Sequence, residues 1–302
     1  MSQLLKSRSR NSAFTLVELL VVIAIIGILA SLAAVGVMKA LEKGKMVAAR
    51  TEISQLESAI AAAKQNFGNV DNLPSIIKLH SRADSLMNDN TQIGINTRNF
   101  LTKAFGKAWI PLPTQTSPTV VYSNTPYMYW MGPGYTGTYP IILVGMEALV
   151  YWLGGVRDGS GTFQGFSSNP AAPWDTTNAR YKIKGPFYEF DSVRVLITNP
   201  TTVPTFVNSW GGAYAYFSSS DYAAFVGTPY SPPTGGGPVS PLLRTPTTFY
   251  NPKTFQIISS GPDQAFGSGG AHTPGAGTYA ISASGYDDLA NFSSTQLGKK
   301  DE

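Results

Sequence analysis

Few residues of this chain have the types and spacings that support catalysis. Ser75 and Lys78 have the S-x-x-K spacing of a serine nucleophile with a lysine base, but no K-T-G partner occurs in the sequence. His80 and His272 are the only histidines, and their wide separation predicts neither a zinc site nor a Ser-His-Asp triad. The chain has no cysteine, which excludes thiolate chemistry and disulfides. We therefore expect that the protein is not an enzyme.

The region around residues 120–139 contains two further candidates. Gly132–Gly137 reads GPGYTG and matches the G-x-G-x-x-G spacing, but Pro133 lacks the backbone N–H that a phosphate would use and no clear strand precedes it. Dinucleotide binding is therefore not expected. The aromatic residues of the region are Tyr122, Tyr127, Tyr129, Trp130, Tyr135 and Tyr139. They either pack in a core or form a patch that holds a polysaccharide or a partner protein.

The composition indicates a large folded core with little surface charge. Of the 302 residues, 43% are hydrophobic and 13% are charged, which is not the composition of a disordered chain. The formal net charge is +4, and Lys6, Arg8 and Arg10 supply three of the positive charges. The remainder is nearly neutral and has no basic stripe, so we expect no binding to nucleic acid.

A membrane-spanning helix is predicted directly after this basic start. Leu19 to Met38 are uncharged and mainly apolar, and a helix of about twenty residues spans roughly the 30 Å of a bilayer core. The basic residues favour a cytoplasmic N-terminus, which places the rest of the chain on the far side of the membrane. A cleaved signal peptide has a shorter apolar region and a small-residue cleavage site, so it fits less well.

The helix is predicted to continue as an amphipathic segment. Apolar residues recur three and four positions apart at Met46, Ala49, Ile53, Leu56, Ile60, Ala63 and Phe67. This spacing is typical of one helical face that packs on a core. The intervening charged residues are expected to face water, and they are Lys45, Arg50, Glu52, Glu57 and Lys64. A single helix of about fifty residues results.

Glu18 requires an explanation, because an unpaired carboxylate in hydrocarbon is unfavourable by a few kcal/mol. It lies in the sequence FTLVELL, residues 14–20, which resembles the N-terminal methylation motif of type IV pilins and type II secretion pseudopilins. The resemblance implies that a prepilin peptidase cleaves between Ala13 and Phe14 and methylates the new amino group of Phe14. It also implies that Glu18 pairs with that amino group of a neighbouring subunit during assembly. Ala13 departs from the family, which usually has Gly at this position.

The globular remainder is predicted to be α+β. Helices are predicted at 73–89, in a segment that ends at Gly106, and at 143–155. Strands are predicted at 187–197, 212–219 and 254–260. Residues 228–246 are predicted to form a loop. Helices followed by C-terminal strands favour an antiparallel sheet that covers the apolar face of the long helix. This arrangement agrees with the pilin fold that the resemblance implies.

Two C-terminal passages resemble the major pseudopilin of type II secretion. They are residues 209–219, and residues 257–270 followed by 285–293. In that family the passages mark a central strand and a calcium-stabilised loop, which implies Asp263, Asp287 and Asp288 as Ca²⁺ ligands together with backbone carbonyls. A long insertion separates Asp263 from the other two aspartates. The alternative is that Asp263 stabilises a turn and that the other two are solvated.

The resemblance implies a structural subunit of a type IV pilus-like filament, most similar to a type II secretion pseudopilin. The expected organisation is a cleaved leader at 1–13, a transmembrane and filament-core helix at 14–38, an amphipathic helix at 39–67 and a periplasmic or extracellular globular domain at 68–302. Implied partners are pilin subunits of its own and related types, the prepilin peptidase, and an inner-membrane assembly platform with its cytoplasmic ATPase. The alternatives are a type IV pilin, a minor or tip subunit, and a membrane-anchored module that binds a glycan or surface ligand.

Overall fold

A computed structural model describes residues 15–110, 113–115, 121–122, 128, 130–132, 137–196, 203–273 and 283–299. The contacts divide the chain into two compact units, one up to Lys45 and the other from Met46 onward. The long helix α1 runs from Leu16 to Asn66, which confirms the predicted helix of about fifty residues. Among its described residues, the second unit contains three shorter helices and many short strands, so the α+β class is also confirmed.

The elements of the second unit are short. After α1, the helices are α2 (Ala83–Met87), α3 (Gln92–Phe105) and α4 (Met146–Gly154), and a 3₁₀ turn covers Tyr222–Phe225. The strands are β1 (Ile76–Leu79), β2 (Pro113–Gln115), β3 (Val121–Tyr122), β4 (Ile141–Val144), β5 (Phe166–Ser167), β6 (Ile183–Lys184), β7 (Val195–Leu196), β8 (Thr205–Phe206), β9 (Tyr214–Ser218), β10 (Leu242–Thr245), β11 (Thr248–Phe249), β12 (Phe255–Ser259), β13 (Gly270–Ala271) and β14 (Leu289–Ala290).

The amphipathic part of α1 packs on the globular core as its spacing predicts. From Ala49 through Leu56 and Ile60 to Phe67 the predicted apolar face is buried, and Met46 at its start is partly buried. The prediction for Glu52 is wrong, because this carboxylate is only 6% exposed instead of facing water. It lies next to Ile53 on the edge of the buried face, where polar groups of other segments reach it.

A three-stranded antiparallel sheet with the order β14-β12-β9 lies at the centre of the fold. Successive side chains of a strand point to opposite faces. Tyr214 and Tyr216 therefore join the core that contains the α1 face, while Ala215 and Phe217 join a second apolar cluster behind the sheet. The predicted strands at 212–219 and 254–260 are confirmed. The resemblance implied a central strand at 209–219, but β9 is an edge strand and β12 occupies the middle.

Three predicted segments differ from the structure. Residues 73–89 do not form one helix, because Ile76–Leu79 pair as β1 with β4 in an antiparallel ladder and only Ala83–Met87 is helical. Of the predicted strand at 187–197, the described residues 187–196 contribute only β7, since their aromatic side chains pack into the core instead of pairing along a ladder. The predicted loop at 228–246 contains β10. Pairing with β4 decides the first case, packing on the core decides the second, and pairing of β10 with β11 and β13 decides the third.

The predicted helix that ends at Gly106 is confirmed, whereas the helix predicted over 143–155 begins only at Met146, because Ile141–Val144 form β4. Helix α3 ends at Phe105 before Gly106, whose φ of +83° is readily adopted by glycine. Helix α4 ends before Gly155, where an added Cβ would lie 2.2 Å from the Gly165 carbonyl oxygen. The backbone geometry at Gly106 and at Gly155 therefore explains why glycine follows the end of each helix.

Glu147 in the first turn of α4 makes stability pH-dependent. Burial raises the pKa of its carboxyl to about 7, from an ordinary value of 4.5, although it accepts a hydrogen bond from the Tyr230 hydroxyl at 3.1 Å. The folded state thus binds the proton more tightly, so this contribution to stability is complete below pH 4.5 and is lost as the pH rises to 7. Replacing Glu147 by Gln should stabilise the protein by about 2 kcal/mol at pH 8 and change little at pH 4. Thermal unfolding of both proteins at the two pH values checks this, and an equal shift at both would contradict it.

Candidate functional site

Thr15 and Glu18 form a reciprocal pair at the start of α1. The Thr15 backbone N–H and hydroxyl each donate to Glu18 Oε2 at 2.8 Å, and the Glu18 backbone N–H donates to Thr15 Oγ1 at 3.2 Å. This is a capping box, and its T-x-x-E spacing is visible in the sequence. The carboxylate therefore starts the helix within its own chain, in addition to the predicted pairing with another subunit. Ala13 and Phe14 lie outside the described residues, so the cleavage site stays a prediction.

The first part of α1 exposes apolar side chains all around the helix. Large hydrophobic residues from Leu16 to Leu41 are about half to four-fifths exposed. Within the described part of the chain, α1 is the one helix that is long and apolar enough to cross a membrane. Exposure of this many apolar side chains to water is unfavourable, so they require lipid or other protein around them.

The three aspartates of the predicted calcium loop lie near one another in the fold. Asp287 Oδ2 accepts the backbone N–H of Asp263 at 3.1 Å, and Asp288 Oδ2 accepts the backbone N–H of Gly267 at 3.0 Å. Asp263 also accepts the backbone N–H of Ala265 at 2.8 Å, which is the turn-stabilising role of the alternative prediction. Across the described ranges, no three acidic or histidine side chains are arranged to hold a metal ion.

Asp288 is the unusual member of this group. It is only 2% exposed, and its Oδ1 is buried without a hydrogen-bond partner. Burial, and secondarily the nearby carboxylates of Asp287 and Asp263, raise the pKa of Asp288 well above its ordinary value. Burial also raises the pKa of Asp287. The expectation that Asp288 is simply solvated is therefore wrong, and its free oxygen is a donor atom suited to a hard cation.

A buried polar cluster surrounds Glu52, and it was not predicted from the sequence. Arg194 donates to both carboxylate oxygens of Glu52, with Nη1 3.0 Å from Oε2. The Tyr214 hydroxyl also donates to Oε2, and the Tyr188 hydroxyl lies 3.4 Å from Oε1. Burial, and then the Glu52 charge, raises the pKa of Tyr188 to about 12. The cluster joins α1 to the 188–194 segment and to β9. Spacing along one helix cannot predict such partners, because they are distant in the sequence.

The serine and lysine of the S-x-x-K match are engaged in different interactions. The Ser75 hydroxyl donates to Asp221 Oδ2 at 2.9 Å. The Lys78 ammonium lies 2.7 Å from the Asp89 carboxylate, which His80 also contacts at 2.9 Å. These contacts hold the start of β1 against its neighbours. They do not pair the serine with the lysine, as the S-x-x-K chemistry would require.

The described residues of the aromatic region favour packing. Trp130 is fully buried, and its ring centroid lies 4.8 Å from that of Trp174. Gly132 has a φ of +86°, and an added Cβ would lie 1.8 Å from the Arg157 carbonyl oxygen, so close packing explains this glycine. Tyr139 is partly buried against the core. The remaining side chains of the region lie outside the described residues, namely those of Tyr122, Tyr127, Tyr129 and Tyr135.

Comparison with known proteins identifies the N-terminal segment. Residues 8–34 match the family model of the prokaryotic N-terminal methylation motif. No curated protein and no solved structure matches the chain significantly. The motif and the apolar helix together suggest a membrane-anchored protein with a single transmembrane segment. The motif marks a family of structural proteins that are processed and assembled into filaments.

Proposed function

Because the chain carries the N-terminal methylation motif and apolar first helix of a type IV pilin-like protein, we propose that it is a structural subunit of a pilus-like filament. The subtype we propose is a type II secretion pseudopilin, with the globular part on the periplasmic side of the inner membrane. A prepilin peptidase cleaves between Ala13 and Phe14 and methylates Phe14. An inner-membrane platform and its cytoplasmic ATPase then add the subunit to others of its own or related types.

The observation that carries this proposal is the first part of α1. Its exposed apolar side chains surround the helix, so it suits both a bilayer and the centre of a bundle of identical helices. Glu18 is the one acidic residue in this apolar run, and its Oε2 is held by Thr15 at the helix start. A carboxylate fixed at this position can meet a cation at the N-terminus of a neighbouring subunit. A simple membrane anchor would gain only the helix cap with Thr15 from this carboxylate.

Processing and assembly can be tested together. The full chain is expressed with its prepilin peptidase, and the intact mass of the mature protein is measured. We expect a chain that begins at Phe14 and carries one added methyl group. The Glu18→Ala variant should be processed, yet it should be lost from the sheared and ultracentrifuged filament fraction.

The matched control is Glu42→Ala, which removes an exposed carboxylate farther along α1. It should leave the filament fraction unchanged. A chain that keeps Met1 despite an active peptidase would contradict the proposal and would identify Ala13 as a block to cleavage. Wild-type protein that is processed but stays entirely in the membrane fraction would instead favour the membrane-anchored binding module.

We also propose that Ca²⁺ stabilises the C-terminal loop. The support is the buried, unpartnered Oδ1 of Asp288 in a neighbourhood that holds two more carboxylates. Asp288 and Asp287 would hold the ion with backbone carbonyls of the loop, and Asp263 would add negative charge. The ion would neutralise carboxylates whose burial is otherwise unfavourable.

Replacing Asp288 by Asn tests the calcium proposal, because we expect different effects on the melting temperature in Ca²⁺ and in EGTA. Asp288→Asn should abolish the rise in melting temperature that Ca²⁺ produces over EGTA. In EGTA the variant should be as stable as the parent or more stable, because it lacks a buried unpaired carboxylate. Glu189→Gln removes an exposed carboxylate outside the loop and should keep the full Ca²⁺ response. A parent protein that melts at one temperature in Ca²⁺ and EGTA would contradict the calcium proposal.

A further inference from the structure

A cavity of about 340 Å³ with both apolar and polar lining lies between α3, the segment that follows α1 and the turn after β9. Its volume falls at the lower end of the range for small-ligand sites. None of the three aspartates of the C-terminal loop lines the cavity. Its lining consists of Val70, Asp71, Asn72, Pro74, Asn96, Asn99, Phe100, Lys103, Ser220 and Asp221.

One face of α3 supplies the wall of this cavity. Asn96, Asn99, Phe100 and Lys103 are separated by three, one and three positions, so they form one stripe along the helix. The Phe100 ring is fixed from behind by Trp152, with ring centroids 4.6 Å apart. The stripe therefore presents two amides and a lysine beside an aromatic ring whose orientation is held by the core.

The opposite side of the cavity is built from buried polar groups. Asp221 is 8% exposed, and its Oδ2 accepts the Ser75 backbone N–H at 2.6 Å and the Ser75 hydroxyl at 2.9 Å. Asn72 donates through Nδ2 to Ser219 Oγ at 2.9 Å, while its buried Oδ1 has no hydrogen-bond partner. This oxygen is closed to solvent, so the exposed amides of Asn96 and Asn99 are the hydrogen-bonding groups that a ligand in the cavity can reach. At the rim, Lys103 pairs with the exposed Asp71 at 2.9 Å.

This set of groups selects one class of ligand. Two carboxylates against one ammonium do not favour an anion, and the amides and carboxylates beside the apolar surface of the lining do not favour a wholly apolar molecule. Amides and carboxylates on a rigid frame hydrogen-bond to hydroxyl groups, and an aromatic face packs on C–H groups. We propose that the cavity binds a neutral sugar unit of an oligosaccharide. This site does not depend on whether the protein forms filaments.

Binding is tested on the full chain in a zwitterionic detergent, because glycosidic detergents carry sugars that would compete. Maltotriose, cellotriose and chitotriose are titrated separately, and binding is followed by saturation-transfer NMR. We expect at least one of them to bind with a Kd of about 1 mM or lower. The double variant Asn96→Ala, Asn99→Ala should weaken that binding about tenfold or more, because ligand hydroxyls lose their partners.

Asn90→Ala is the control, since Asn90 is exposed and does not line the cavity. It should bind the sugar as the parent does. Thermal unfolding of all variants separates lost binding from lost folding, because Asn96 and Asn99 are exposed on α3 and their removal should leave the melting temperature nearly unchanged. The proposal is overturned if none of the three sugars binds at about 10 mM. It is also overturned if binding persists undiminished in the folded double variant.

Discussion

Replacing Glu52 by Ala should destabilise the globular part by about 3 kcal/mol, among the largest effects expected for a single substitution in this chain. The change removes the buried ion-pair partner of Arg194, which keeps only the longer contact to the exposed Asp191 carboxylate at 3.5 Å and is itself 26% exposed. It also leaves the buried Tyr214 hydroxyl without its acceptor. Urea unfolding of the full chain in detergent, followed by near-UV circular dichroism, measures the loss.

A double-mutant cycle shows whether the ion pair is the cause. Arg194→Met combined with Glu52→Ala should be destabilised by less than the sum of the two single changes, because neither partner is then left as an unpaired charge. Gln55→Ala is the matched control, since Gln55 lies on the exposed side of the same helix turn. It should change the free energy of unfolding by less than about 0.5 kcal/mol. Strict additivity of the Glu52 and Arg194 effects would contradict this account.

Replacing Phe67 by Ala should destabilise the same unit by about 3–5 kcal/mol. Phe67 is fully buried where α1 ends, and it lies at the centre of an aromatic cluster. Its ring centroid is within 5.4–6.4 Å of those of five other rings, which belong to Phe105, Phe187, Phe166, Trp152 and Phe100. Truncation leaves a cavity that rings from four separate segments cannot close without moving together.

Variants with side chains of different size at position 67 test this explanation. Phe67→Leu fills part of the cavity, so it should recover more than half of the loss. Val226→Ala, at a side chain that is 66% exposed, should have an effect below about 0.5 kcal/mol. The same unfolding measurement applies to all three variants. A Phe67→Ala protein within 1 kcal/mol of the parent would show that the aromatic cluster repacks freely.

The local sequence pattern was sufficient to predict the first part of the chain and several elements of the globular part. The apolar run and the three-and-four spacing predict α1 and its buried face because both depend on the period of one helix. Alternating aromatic and small residues likewise predict β9, and β-branched residues predict β12. The methylation motif is a contiguous stretch of sequence, so it can also be recognised without knowledge of the fold. The match to the family model agrees with it.

A long helix with an apolar first half, the methylation motif and the α+β class thus follow from the order of the residues alone. The burial of Glu52 and the strand at residues 76–79 arise only when the chain folds. The unpartnered oxygen of Asp288 and the stripe of α3 that faces Asn72 and Asp221 across a cavity also depend on the fold. The physical reason is distance along the chain: Glu52 and Arg194 are separated by 142 positions. A helical period has a range of a few residues, whereas burial and polar partners come from segments that only folding brings together.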